Sequence, residues 1–105
     1  MQDAEFHALV DELFNRLEDE LDAQELDLDI DSASGILTIG FPNGSSVIVS
    51  RQIAAHEVWV AARSGGFHLS NEDSWFCRVT GEDLASLLSR VLTEQLGETV
   101  TMTIS

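Results

Sequence analysis

The chain has a single cysteine, Cys77, no lysine, and no apolar run longer than the five residues Val58 to Ala62. Each shortage excludes something. One thiol permits neither an intrachain disulfide nor a cysteine-based zinc site. Five apolar residues fall far short of a membrane span. The opening MQDAEFHALVDELF has neither a basic leader nor an apolar core of signal length, so a cytoplasmic protein is expected. Positive charge is scarce too: five arginines face nineteen Asp and Glu residues, giving a net charge of −14 and a pI near 4.1. Such a surface repels duplex nucleic acid and anionic membranes, which leaves cations and basic protein surfaces as partners.

What is present in excess is acid, and it is concentrated. Met1 to Asp31 holds twelve of the nineteen acidic residues against Arg16 alone, a net charge of −11. Within it, Leu17 to Asp31 reads LEDELDAQELDLDID, with eight carboxylates and no positive charge. At 105 residues and 44% hydrophobic, the chain is expected to be one domain, residues 1–105, with one modest core and not a disordered acidic tail. The charge therefore sits on a fold.

The periodicities outline that fold. Phe6, Leu9, Val10, Leu13, Phe14, Leu17 and Leu21 recur at spacings of three and four, which predicts an N-terminal helix with Asp3 as its cap. Leu26 to Asp31 alternates strictly, predicting a strand with Leu26, Leu28 and Ile30 inward and Asp27, Asp29 and Asp31 outward. A second strand, ILTIGF, turns at Pro42-Asn43-Gly44, read as an Asn-Gly hairpin, into a third, SSVIVSRQ. Then come the alternating strand Glu57 to Ala62, a turn at Ser64-Gly65-Gly66, a short strand Phe67 to Leu69, a polar loop from Ser70 to Ser74, and Trp75 to Arg78. Thr80 and Asp83, with Leu84, Leu87, Leu88, Val91 and Leu92 at helical spacing, predict a last helix that Gly97 ends. Without helical crossovers between strands, the fold class is α+β: a two-layer sandwich with both helices on one face of a mainly antiparallel sheet. Val100, Met102 and Ile104 alternate, and the tail is expected to add an edge strand.

Candidate site residues follow from these elements. At about 100° per residue, His7, Asp11, Glu18 and Asp22 fall within about 60° of one another on the first helix, with Asp3 slightly aside. They form a ridge. A solvated face is the plain alternative, but like charges at i,i+4, such as Glu18 and Asp22, destabilise a helix, and no lysine compensates them. Oxygen ligands without thiolates suit hard cations such as iron, manganese or calcium, held weakly at a surface. His7 lies four residues from both Asp3 and Asp11, a spacing that serves a metal pair or an idle helix histidine equally. His56, His68 and Cys77 read as structural residues. Trp59 is expected on the open face of the sheet with Glu57 and Ala61, where an exposed indole marks a protein contact, and Arg51 and Gln52 are expected to share that surface.

The residues VIVSRQ at 47–52, Val58-Trp59-Val60-Ala61 and Ser64-Gly65-Gly66-Phe67-His68, with the opening Glu5-Phe6-His7 and the acidic helix-to-strand passage, resemble the frataxin family in its bacterial form. The resemblance spans roughly Met1 to Glu98. Glu18, Asp19, Asp22, Asp27, Asp29 and Asp31 match the family's acidic ridge position by position. Ser50 stands where the family usually has Asn, no Pro follows Gln52, and Glu57 replaces a common Gln. These departures flank the loop from Gln52 to His56.

The resemblance implies a protein that binds iron (Fe2+ or Fe3+) weakly and docks on the cysteine desulfurase of the iron-sulfur cluster assembly machinery to modulate it, with Glu18, Asp19 and Asp22 meeting the partner electrostatically and Trp59 anchoring it. A monomer is expected, self-associating, if at all, only with metal. The rival class is catalytic, an iron oxidase or iron store acting at the carboxylates. Ferroxidase centres enclose their metals with ligands from several helices. Here the ligands line one edge, and no enzymatic turnover is expected. A nucleic-acid mimic would spread its charge over the sheet, yet the sequence after Asp31 carries only −3.

Overall fold

The computed structural model describes residues 1–104. Helix α1, Asp3–Ala23, buries Phe6, Val10, Leu13, Phe14, Leu17 and Leu21, the stripe its spacing predicts. Its N-cap is Gln2 and not Asp3; no side chain caps the first turn, where Asp3 and Glu5 instead complement the helix dipole. Glu25 takes a left-handed conformation just past the helix, at φ 51°. Seven strands follow in chain order: β1 Asp29–Ala33, β2 Ile36–Gly40, β3 Ser46–Gln52, β4 Glu57–Ala62, β5 Gly65–Glu72, β6 Ser74–Cys77 and β7 Glu82–Asp83. Each pairs antiparallel with the next, so the sheet is a meander with β1 at one edge. Helix α2, Leu84–Leu96, is capped by Asp83, which accepts from the Ser86 amide at 2.8 Å, and ends at Gly97 in a left-handed conformation. Both helices pack on one face of the sheet.

Strand alternation decides which face each side chain takes. Leu37, Ile39, Val47, Val49, Val58, Val60, Leu69, Trp75 and Cys77 join both helices in a single core. Their neighbours Thr38, Ile48, Ser50, Trp59, Ala61 and His68 point to the other face, which no helix covers.

Several expectations need correction. The first strand starts at Asp29 and not at Leu26, because its partner β2 runs out: Asp29 pairs with Gly40, and beyond it Phe41 turns into the loop. Leu26 and Leu28 still lean on the core, and Asp27 stays exposed. The next hairpin closes through three residues, Pro42 to Gly44, with Phe41 N–H donating to the Ser45 carbonyl at 2.9 Å and Gly44 at φ 86°. That is a longer loop than a two-residue Asn-Gly turn, and the left-handed glycine completes it. The β4–β5 turn is Arg63-Ser64, since Ala62 pairs with Gly65. Ser70 to Glu72 are strand, leaving Asp73 alone, at φ 72°, to reverse the chain between Glu72 and Ser74.

The tail is the largest departure. It forms no edge strand; it lies extended against both helices, with Val100, Met102 and Ile104 buried. Side chains replace the ladder: Met102 N–H donates to Ser89 Oγ at 2.8 Å, Val100 N–H to Thr93 Oγ1 at 2.9 Å, and Gln24 Nε2 to the Thr101 carbonyl at 3.0 Å. A segment with apolar alternation needs a buried face, not a strand partner.

Candidate functional site

Two surfaces gather the predicted site residues: the rim between α1 and edge strand β1, and the uncovered face of the sheet.

Along α1 the acidic row divides in two. In the N-terminal half every predicted ligand already has a partner. Asp3 Oδ1 lies 2.7 Å from His56 Nε2, whose ring also packs against Phe6. Arg51 reaches from β3 to both other members: Nη1 lies 2.8 Å from His7 Nδ1, and Nη2 donates to Asp11 Oδ1. The Arg51 guanidinium also lies over the Phe14 ring, 5.8 Å from its centroid, and its Nε is buried without an acceptor.

In the C-terminal half Glu18, Asp19 and Asp22 are unpartnered among the described residues, while Glu20 accepts from the Thr103 N–H and hydroxyl of the tail. Glu18 and Asp22 line a groove of about 270 Å³ with Ile30 and Ser32 of β1, and Glu18 also borders a neighbouring groove of about 450 Å³ that runs from Asp11 to the β1–β2 turn. Ile30 pairs with Ile39 and so faces the helix; Asp29 and Asp31, paired with Gly40 and Thr38, emerge on the opposite side of β1. The edge strand therefore separates two sets of acid: Glu18 and Asp22 on the helix side, Asp29 and Asp31 on the open-face side. Asp19 and Asp27 are exposed. Among the described residues none of these six forms an ion pair: four of the five arginines serve other acids, Arg16 pairing with Glu12, Arg51 with Asp11, Arg78 with Glu72, and Arg90 with Glu82 and Glu94, and Arg63 pairs with none of the six. Nor, among the described residues, do any three His, Cys, Asp or Glu side chains converge on one point. An ion here would meet one or two carboxylates and keep most of its water.

On the uncovered face Trp59 is 36% exposed, as alternation predicts. Its Nε1 donates to Glu57 Oε1 at 2.9 Å, and its indole stacks on the His68 imidazole, centroids 4.2 Å apart. Gln52 shares the face, its Nε2 donating to Ser50 Oγ at 3.2 Å. Arg51 does not. It pairs with Val58, one position off the Ser50–Trp59 pair, so the same alternation that exposes Trp59 sends Arg51 to the helix side. His68 is the member that sequence reasoning missed as a surface residue. Its signal was recoverable: a two-residue β4–β5 turn brings it directly opposite Trp59.

Cys77 is buried in the core. Burial pushes its thiol up, but hydrogen bonds involving Thr80, Val79 and His68 outweigh this and leave it below the ordinary thiol range. No helix among the described residues is long and apolar enough to cross a membrane.

Comparison with known proteins adds an independent line. A family model described as a frataxin-like domain matches residues 1–98. Among curated proteins, the chain is 42% identical over 101 residues to the iron-sulfur cluster assembly protein CyaY of Azotobacter vinelandii, covering 93% of this chain and 92% of that one. It is 46% identical over 103 residues to the protein of the same name from Pseudomonas aeruginosa, covering 95% of each. Among solved structures, frataxin from Psychromonas ingrahamii superposes with a TM-score of 0.91 at 32% identity, over 99% of this chain and 100% of that one.

Proposed function

The chain belongs to the frataxin-like family, and from that premise we propose that it serves iron-sulfur cluster assembly as a cytoplasmic, non-catalytic adaptor. In this reading it docks on the cysteine desulfurase and carries iron weakly on Glu18, Asp19, Asp22, Asp27, Asp29 and Asp31. The relatives at 42% and 46% identity, both named iron-sulfur cluster assembly proteins, support the assembly role. The observation that carries the site is the division of the acidic row: its N-terminal members are partnered internally, while these six carboxylates have no basic partner among the described residues.

Unpaired carboxylates along an open rim attract a basic surface at long range, which sets encounter rate and salt dependence. They also suit a hard cation. The Trp59–His68 stack supplies a flat, largely uncharged anchor at the other surface. Because the strand β1 stands between the two sets of acid, a partner gripping this edge would meet Glu18 and Asp22 from one side and Asp29 and Asp31 from the other.

Amide-shift titrations with ferrous iron, and separately with the desulfurase, test the reading. Iron is expected to perturb residues 18–31; the desulfurase is expected to perturb the same rim and also Trp59 and His68. If Glu18→Lys, Asp19→Lys and Asp22→Lys together leave desulfurase binding unchanged at low salt, the docking assignment falls. Oxidation of ferrous iron well above the buffer rate, abolished by Glu18→Ala with Asp22→Ala, would transfer the case to the iron-oxidase alternative.

A further inference from the structure

We propose that Arg51 is a resident cation of the acidic ridge, which occupies the His7–Asp11 step and confines metal to the end of the ridge around Glu18, Asp22 and β1. The inference rests on the metal reading given above and states which of its candidate ligands are closed.

The sequence spacing of His7 and Asp11, one helical turn apart, is that of an i,i+4 metal pair. The structure fills that place with a guanidinium. Arg51 Nη1 lies 2.8 Å from His7 Nδ1, and Nη2 donates to Asp11 Oδ1. A guanidinium keeps its proton and offers donors only, so His7 Nδ1 must be the acceptor. A neutral imidazole has one ring nitrogen with a free lone pair, and here Arg51 uses it; Nε2 then carries the hydrogen. His7 is left with no lone pair for a metal. Asp11 retains acceptor capacity, but any cation reaching it would stand beside a fixed positive charge.

Arg51 is held in this position from three sides. Its backbone N–H donates to the Gly35 carbonyl at 3.0 Å. Gly35, at φ 78°, runs alongside the side chain; a Cβ there would make ordinary van der Waals contact, 3.6 Å from Arg51 Cβ and 3.7 Å from Nε. The Phe14 ring covers the guanidinium from the helix side. Its side chain is 17% exposed, against 65% for Asp11, so the arginine is the fixed member of the pair. Asp3, the third candidate of this half, is engaged by His56 at 2.7 Å.

Two measurements decide the matter. Nitrogen-15 spectra of the imidazole rings in the unaltered chain report the His7 tautomer, with hydrogen on Nε2 expected; hydrogen on Nδ1 would overturn the proposal. Titration with Co2+ reports where metal sits, through paramagnetic broadening. In the unaltered chain, broadening is expected around residues 18–22 and β1, with the His7 ring sharp. In Arg51→Gln, shown folded by its amide spectrum, a second broadened set centred on His7 and Asp11 is expected. A His7 ring that stays sharp in Arg51→Gln, or is already broadened in the unaltered chain, would refute it. Failure of the metal reading is a separate outcome, seen as no broadening at residues 18–31 in the unaltered chain; the His7 result is decided independently of it.

Discussion

The Trp59 indole and the His68 imidazole lie in nearly parallel planes, 6° apart, directly opposite each other on β4 and β5. Glu57 fixes the indole by accepting from its Nε1, and its carboxylate also lies 3.9 Å from His68 Nδ1. The pair stands on the face that both helices leave open. It is therefore ordered without being core, which is the arrangement a rigid binding anchor requires.

Trp59→Ala is expected to separate binding from stability. Losing a half-exposed ring and its stacking should cost about 1 kcal/mol of stability, while removal of an aromatic anchor from an interface centre should weaken desulfurase binding by about 2 kcal/mol or more. Urea midpoints and calorimetric titration measure the two. His68→Ala, which frees the indole to turn, should weaken binding by a smaller factor. A large loss of stability with unchanged binding would make Trp59 a core residue.

The unpaired acid of α1 gives a prediction of opposite sign. The last turn of the helix has no basic residue, and its acids repel both one another and the negative end of the helix dipole. Replacing Glu18, Asp19 and Asp22 by Gln, Asn and Asn should therefore stabilise the fold. Each relieved i,i+4 repulsion is worth about 0.2–0.5 kcal/mol. A Tm higher by a few degrees is expected at low salt, with the gap closing near 1 M salt, where the Debye length falls to about 3 Å. Divalent cations should raise the Tm of the natural chain more than that of the variant. Equal melting at low salt would show that these carboxylates do not feel one another.

How far the sequence revealed this arrangement depended on the range of the signal. The α1 stripe, the exposed Trp59 and the start of α2 near Thr80 and Asp83 were legible because each follows from a local period or a local start signal; that Asp83 and not Thr80 is the cap appears only in the structure. The side taken by Arg51 was legible too, but only if the alternation that exposes Trp59 was carried back across the pairing of β3 with β4. What was hidden is tertiary. The ion pair from Arg51 to Asp11 joins residues 40 apart in the chain, and nothing in the local pattern says that a strand arginine fills the gap beside a helix acid. The tail misled for the same reason: alternation reports a buried face, and Ser89 and Thr93, which satisfy its backbone, lie on a helix.

Gln95 is a buried polar side chain at the end of α2, 5% exposed, and its bonds join two hairpin turns. Its Oε1 accepts from Arg63 N–H at 2.8 Å, and Nε2 donates to Ser45 Oγ at 3.1 Å and to the Ser46 carbonyl at 3.2 Å. Gln95→Ala removes all three bonds, leaves the Arg63 N–H without its acceptor, and should cost about 2–3 kcal/mol. Hydrogen exchange at the Arg63 amide should accelerate with it. The neighbouring Glu94→Ala, at an exposed position, should stay within about 0.5 kcal/mol. Equal effects from the two would mean that the buried network contributes nothing specific.

Glu82 and Arg90 give the pH dependence. The Arg90 fork meets the Glu82 carboxylate with two hydrogen bonds, 2.8 Å from Nη2 and 3.0 Å from Nε, and lies over Phe67 at 5.3 Å. The guanidinium holds the Glu82 carboxyl below the usual carboxylate range, with Thr80 assisting and partial burial opposing. A folded pKa below the unfolded one means that the pair stabilises fully above the unfolded value of about 4.3 and loses this contribution as the pH falls through the lower, folded value. Glu82→Gln should thus cost about 1–2 kcal/mol at pH 7, since a bidentate charged pair is stronger than a neutral one. The difference from the natural chain should shrink below pH of about 4. Glu72 is likewise held down by Arg78, but that pair lies exposed at the surface; solvent screens it, and Glu72→Gln should leave the midpoint unchanged. Urea midpoints at neutral, mildly acidic and strongly acidic pH measure all three proteins. If Glu82→Gln were equally destabilising at both ends of that range, Glu82 would act through its packing against α2 and not through its charge.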